Sequence, residues 1–235
     1  MELSRRLSAV AELVDACESM ADIGTDHGYI PIFLVEKEKV GHAIAMDVRT
    51  GPLERAREHV KQHGLEEYIE LRLSDGADKL KPGEVQAVVI AGMGGRLMAR
   101  IVDSCRDVFS ALSFFVLQPQ SECGYVRHFL EESGFQIVSE NMVKEEGKFY
   151  PMMKVTTGES RLDEPWFYEY GRELLVEKHP VLKEYLEKEN ATYHDILQKL
   201  KKGESQSQRE RIVEIEKCLS INEKALCYYE DKRGN

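Results

Sequence analysis

The chain has 235 residues, of which 42% are hydrophobic and 31% charged. That is one large domain, or one domain with an appendage, and it can bury a core without disulfides or metals. The formal net charge of -10 argues against coating nucleic acid through bulk basicity, but leaves room for a local basic patch.

No run of 18 or more apolar residues is present to span a membrane. The N-terminus reads as an amphipathic helix rather than a signal peptide. Cys17, Cys105, Cys123, Cys218 and Cys227 form no C-x-x-C pair, and no histidine stands at zinc-ligand spacing from them. Reduced thiols in a cytoplasmic, metal-free protein are expected.

Taken in chain order, the pattern predicts a helix over 3–17, a strand over 20–24 and a helix over 29–37. A strand over 43–47 ends in an acid, and Pro52 opens a helix over 52–62. Strands follow at 69–73 and, most apolar of all, 85–91. A helix over 97–102, a strand over 114–117 and a helix over 126–132 come next, with Gly134 as the stop. The last strands, 136–143 and 149–156, are joined by Glu-Glu-Gly-Lys.

Apolar strands alternating with helices predict an α/β fold with a parallel sheet covered on both faces. The short final connection cannot hold a helical crossover, so the last of seven strands is expected to run antiparallel.

Composition shifts near residue 158. Residues 158–235 hold 14 basic and 17 acidic side chains, against 18 and 25 in residues 1–157, and so are more densely charged. Pro165 starts a helix and Pro180 restarts it. Leu182, Leu186, Tyr193, Ile196 and Leu200 form one stripe. Ile212, Ile215, Leu219, Leu226 and Tyr229 form a second, after a polar turn over 203–208. The spacing predicts an antiparallel, coiled-coil-like helical hairpin over 158–235. It reads either as simple helix packing or as an arm for a partner or large substrate.

Chemistry concentrates at the expected carboxyl ends of the strands, where open parallel sheets bind ligands. Ala21-Asp22-Ile23-Gly24-Thr25-Asp26-His27-Gly28-Tyr29 follows the first strand. Asp26 stands where a dinucleotide fingerprint has a glycine, and an acid there suits a cationic ligand better than a pyrophosphate. Asp47, 23 residues after Gly24, can accept ribose hydroxyls. Asp75, next to Gly76, can accept from an exocyclic amine or cap a helix.

Ala91-Gly92-Met93-Gly94-Gly95 clears space for a flat ring against backbone, and no Lys-Ser/Thr follows to make it a phosphate loop. Gln118-Pro119-Gln120 follows the next strand, with Gln118 offering an amide and a carbonyl, or simply turning the chain.

These motifs and their order resemble class I S-adenosylmethionine-dependent methyltransferases, whose seven-stranded sheet is Rossmann-like. Leu3-Ser4-Arg5-Arg6-Leu7, the Asp22–Tyr29 segment, Ile90–Gly95 and Leu117-Gln118-Pro119 are similar to the bacterial tRNA (adenine(22)-N1)-methyltransferase family. The resemblance covers residues 1–157 by motif, and a helical tail is expected of that family.

It implies S-adenosylmethionine as cofactor and methyl transfer to N1 of adenine 22 in tRNA. Asp22, Gly24, Asp26, His27 and Gly28 would line its methionine and ribose end. Asp47 would hold the ribose, and Asp75 with Gly76 the adenine ring. Ala91, Gly92 and Met93 would floor the methyl site.

Gln118, the Gly92 carbonyl or Asp26 would orient the target base, with Gln118 favoured. His27 and Tyr29 would stack on that base, and Gly94 and Gly95 would adjoin it. Arg5, Arg6 and Arg96, with Arg100, Arg127, Lys144 and Lys148, would meet phosphates. His59 stands where the family usually has asparagine. A monomer is expected. The competing readings are a class I methyltransferase acting on a small molecule or another RNA, and a non-enzymatic binding module.

Overall fold

A computed structural model describes residues 1–202 and 205–230. The chain divides into two compact units, Met1–Arg161 and Leu162–Asn235.

The first unit carries α1 (Arg5–Leu13), β1 (Cys17–Ile23), α2 (Tyr29–Glu36), β2 (Val40–Asp47), α3 (Thr50–Gln62), β3 (Ile69–Leu73), β4 (Ala87–Met93), α4 (Gly95–Ser104), α5 (Arg106–Ser110), β5 (Phe114–Pro119), α6 (Cys123–Glu132), β6 (Phe135–Glu145) and β7 (Lys148–Thr157). The seven strands form one sheet in the order β3-β2-β1-β4-β5-β7-β6. Six run parallel; β7 inserts between β5 and β6 and pairs antiparallel with both.

Alternation along β4 explains the layering. Val88 and Ile90 enter one apolar cluster with Met98, Phe109, Leu130 and Phe135. Ala87 and Val89 enter the other with Val10, Ile32, Leu34 and Val60. Helices α4 to α6 therefore cover one face and α1 to α3 the other. Both faces are buried, which is why β4 reads as a continuous apolar run.

Three elements differ from the pattern. The first helix spans Arg5–Leu13, not 3–17: Ser4 accepts from the Leu7 amide at 3.3 Å, Val14 turns extended, and Cys17 opens β1. The short helix α5 was not expected. The last hairpin tightens to Glu146 and Gly147, both at positive φ (49° and 76°), as a two-residue turn matched to strand twist requires.

The second unit holds α7 (Pro165–Tyr170), α8 (Arg172–Val176), α9 (Pro180–Leu200), α10 (Gln206–Leu226) and a 3-10 turn over Cys227–Tyr229. Pro180 sits at the start of α9, where its missing N–H costs nothing. Of the polar turn expected over 203–208, Gly203 and Glu204 lie outside the described residues. Ser205 caps α10, and Gln208 closes the reciprocal box. Helices α9 and α10 pack on each other through Leu182, Leu186, Leu197, Ile215, Asn222 and Ala225.

Among the described residues no helix is long and apolar enough to cross a membrane. Nor do three or more His, Cys, Asp or Glu side chains there cluster to hold a metal ion.

Candidate active site

A cleft of about 280 Å³ opens at the carboxyl ends of β1 and β4, walled by Arg6, Asp22, Gly24, Asp26, His27, Tyr29, Ala91, Gly92 and Gln120, among others. The loop after β1 is pinned to the neighbouring strand, because the Gly24 and Thr25 amides donate to the Met46 carbonyl at 2.8 and 2.9 Å. Gly24 has φ 78°, and a Cβ there would lie 2.2 Å from Met93 Cε. The positive φ is what favours glycine here, and the close neighbour is the flexible tip of Met93 at the end of β4. Gly92 (φ 78°) floors the cleft beneath the Arg6 guanidinium.

Asp22 is 4% exposed, and among the described residues no cation pairs with it. Burial pushes its carboxyl up to about 7. The Thr25 hydroxyl pulls it partly back, and the Asp47 charge adds to the rise. Asp26 sits at φ 47° on the cleft wall, half exposed, and pairs with Arg55, whose Nη2 donates at 2.6 Å; His27 Nε2 lies 3.5 Å away.

Asp47 is nearly buried at the end of β2. It accepts from the Arg49 amide at 2.8 Å, while the Ser74 amide donates to its carbonyl. These contacts set the ends of β2 and β3 level. Asp75 and Gly76 follow β3, so both lie farther along the same sheet edge, outside the cleft wall.

Three rings gather at one side. His27 and Tyr29 stack at 5.0 Å, and His59 from α3 stacks on both at 5.5 and 5.4 Å. His59 Nδ1 lies 2.9 Å from the His27 carbonyl, which can only accept, so the proton belongs on Nδ1. His27 Nδ1 is buried with no hydrogen-bond partner among the described residues.

The remaining expected residues fall into place unevenly. Gln118 is wholly buried and off the cleft wall. Its Oε1 accepts from Arg6 Nη1 at 2.9 Å, and its Nε2 donates to the Pro119 carbonyl at 3.0 Å. Arg6 crosses from α1 to reach it, lying 5.5 Å from the Tyr150 ring centre, with its amide donating to Glu145. Gly28 holds an αL turn at the start of α2, against Ala56. Gly94 caps α4, and a Cβ on Gly95 would meet the Ser121 carbonyl at 2.6 Å. Neither of these two glycines lies on the wall; Gly95 is needed for loop packing.

Arg5 reaches the Lys144 carbonyl, and exposed Arg96 pairs with Glu122 and covers Tyr125. Arg127 overturns its expectation. It is 1% exposed and gives two hydrogen bonds to Glu140, so it cannot reach a phosphate.

Sequence reasoning passed over Gln120, Arg55, Glu145 and Tyr150 at the site. Gln120 stood in a quoted motif. The other three reach it from elements far along the chain, with no local signal.

A seven-stranded sheet with β7 alone reversed, acids ending β1 and β2, and a glycine loop after β4 defines a Rossmann-like methyltransferase domain. The methyltransferase-domain family matches residues 3–153. The tRNA (adenine(22)-N1)-methyltransferase of Bacillus subtilis (strain 168) is 35% identical over 159 residues, covering 68% of this chain and 67% of that protein. The crystal structure of the B. subtilis m1A22 tRNA methyltransferase superposes with a TM-score of 0.86 at 28% identity, covering 96% of this chain and 99% of that one. The M. capricolum relative, solved with S-adenosylhomocysteine, gives a TM-score of 0.85 at 26% identity, covering 98% and 100%. The chain belongs to the tRNA (adenine(22)-N1)-methyltransferase family.

The residues present fit a sulfonium cofactor. A buried carboxylate without a cation, Asp22, stands in the cleft, and a positively charged ligand would supply the missing partner. The orphaned His27 Nδ1 offers a further polar contact in the same wall.

Proposed function

We propose that this protein transfers the methyl group of S-adenosylmethionine to N1 of adenine 22 in tRNA. The observation that carries the reading is the uncompensated Asp22 carboxylate, in one cleft with the Gly92 floor.

Asp22, Gly24, Asp26, His27 and Gly28 hold the methionine and ribose end. Asp47 takes the ribose, Asp75 with Gly76 the adenine, and Ala91 to Met93 form the floor. The chemistry supplied by the bound group is an electrophilic methyl on a sulfonium sulfur.

Adenine N1 carries an in-plane lone pair, so no side chain has to remove a proton before attack. The chain's task is alignment of nucleophile, methyl carbon and sulfur. N1 lies on the pairing edge, so the target base leaves its stack. The His27–Tyr29–His59 rings offer a surface to receive it.

Residues 1–157 act as the catalytic domain and 158–235 as an arm for the tRNA body. The protein works as a cytoplasmic monomer. With a net charge of -10, the RNA grip depends on local cations such as Arg5, Arg96, Arg100, Lys144 and Lys148. Binding should therefore be strongly salt-dependent.

The test is incubation with cofactor and unmodified tRNA, followed by primer extension. N1 methylation blocks pairing, so the reading expects a stop at adenine 22. Full-length product with methyl incorporated elsewhere would overturn it.

A further inference from the structure

Recognition of the target base is constrained by the reaction. The N1 lone pair must stay free for the methyl, so no side chain can read adenine by donating to N1. The other informative edge presents the N6 amino donor and the N7 acceptor. A glutamine amide matches that pair with one acceptor and one donor.

One glutamine lies near the end of β5 and one just beyond it, and the structure separates them. Gln118 is buried, and both ends of its amide are used, by Arg6 and by the Pro119 carbonyl. Gln120 is exposed, lines the cleft, and its side-chain amide makes no hydrogen bond among the described residues. Its backbone is fixed, because its amide donates to the Met93 carbonyl at 2.8 Å. Its Nε2 lies 3.7 Å from where a Cβ on Gly92 would stand, so the free amide is held over the glycine floor.

We propose that Gln120 sets the base specificity, its Oε1 accepting from N6 and its Nε2 donating to N7 of the target adenine. The inference rests on the functional reading above. Guanine shows two acceptors, O6 and N7, on the same edge, and the glutamine carbonyl would face O6 unpaired. Arginine is the side chain that favours guanine there. The tie from Arg6 Nη1 to Gln118 holds one limb of its fork away from that role.

The experiment compares kcat/KM for two forms of one tRNA: unmodified, and carrying 7-deazaadenosine at position 22. Replacing N7 by C–H removes the acceptor. Any intrinsic change in N1 reactivity acts equally on all protein variants. The full-length wild-type chain should lose about tenfold or more on the deaza substrate relative to Gln120→Ala. Gln120→Ala and Gln120→Glu, which both lack the donor, should lose a similar factor on unmodified tRNA. Neither should discriminate further between the two substrates. A purely structural role for Gln120 would leave the deaza penalty intact in the variants.

Equal deaza sensitivity in wild type and Gln120→Ala overturns the proposal while leaving the methyltransferase reading standing. Absence of methylation at position 22 of unmodified tRNA by wild type overturns both.

Discussion

The two units handle buried polarity in opposite ways. In the sheet unit, the deeply buried Arg127 and Glu140 neutralise each other inside continuous apolar layers. In the helical unit, the half-buried Glu189 is met by neutral donors. The Tyr170 hydroxyl donates at 2.6 Å, the Tyr185 hydroxyl at 2.9 Å and the Asn222 amide at 3.3 Å. Burial and that carboxylate hold both tyrosine hydroxyls far above their ordinary range. A sheet covered on both faces has its register set by the side-chain pattern it buries and by its turns. Two helices packed through sparse leucines need polar contacts to fix how one slides on the other. Asp22 belongs to neither pattern. It is a buried carboxylate left uncompensated, and it sits at the ligand edge.

The largest expected effect tests the matched pair. Arg127→Met strands the Glu140 carboxylate, and the cost should be about 3–5 kcal/mol in denaturant unfolding. The double variant with Glu140→Leu should recover most of that loss, because an apolar pair of similar size avoids desolvating two charges. A single variant that unfolds like the parent would break the contrast between the units.

Next comes Asp22→Asn. The cofactor should bind about 10- to 100-fold more weakly by calorimetry, the range for losing a hydrogen bond to a charged group. Stability moves the other way. An unfolded carboxyl titrates near 3.9, while in the folded chain Asp22 is pushed up to about 7. Between those values the folded state binds the extra proton, so the Asp22 contribution to stability falls as pH rises and is fully lost above about 7. Asn removes that penalty, so the variant should gain stability at pH 8 relative to pH 5, compared with the parent. Cofactor affinity of the parent should weaken below about pH 7, by roughly tenfold per unit where protonation dominates. A flat affinity profile from pH 5 to 8 would remove Asp22 from the cofactor site.

Asn222→Ala probes the other unit. Asn222 is wholly buried on α10. It accepts from Asn190 at 2.9 Å and donates to the Leu186 carbonyl at 3.1 Å, bridging to α9. Its loss leaves those groups unpaired and should cost about 1–3 kcal/mol. Hydrogen exchange should report the opening in α9 and α10 while β4 amides stay protected. Uniform loosening of both units would show that they are not organised separately.

The same contrast explains what the sequence makes legible. The sheet unit reads well because both-face burial writes itself as apolar runs such as residues 85–91, and the Glu-Glu-Gly-Lys turn leaves β7 only one direction. The helical unit reads as two helices, and its stripes catch part of the contact, Leu182, Leu186 and Ile215, but not Leu197, Asn222 or Ala225. Asn222 and Ala225 are wholly buried on α10, while Leu219 and Leu226 are only partly so. A polar residue at a packing seam breaks the apolar stripe that would reveal it.

At the site, Asp22, Gly24, Asp26, His27 and Tyr29, from β1 and the segment that follows it, meet Ala91 and Gly92 of β4 because the two strands are parallel neighbours. Gln118 and Gln120 show the limit. The two stand two positions apart, so alternation along a strand does not separate them; which one stays free depends on β5 ending at Pro119 and on Arg6, more than a hundred residues earlier.

The smallest effect concerns how the hairpin begins. Ser205 accepts from the Gln208 amide at 3.3 Å, and Gln208 Oε1 accepts from the Ser205 amide at 3.1 Å. The first turn of α10 thus has two of its orphan donors satisfied by local chemistry. Ser205→Ala should cost about 1 kcal/mol, less than the Asn222 change, because water can replace an exposed cap but not a buried amide. Exchange should accelerate in the first turn of α10 and leave the amides around Asn222 unchanged. If Ser205→Ala instead destabilises α9 and α10 together by as much as Asn222→Ala does, the hairpin depends on its capped start. The buried asparagine would then not be what fixes its register.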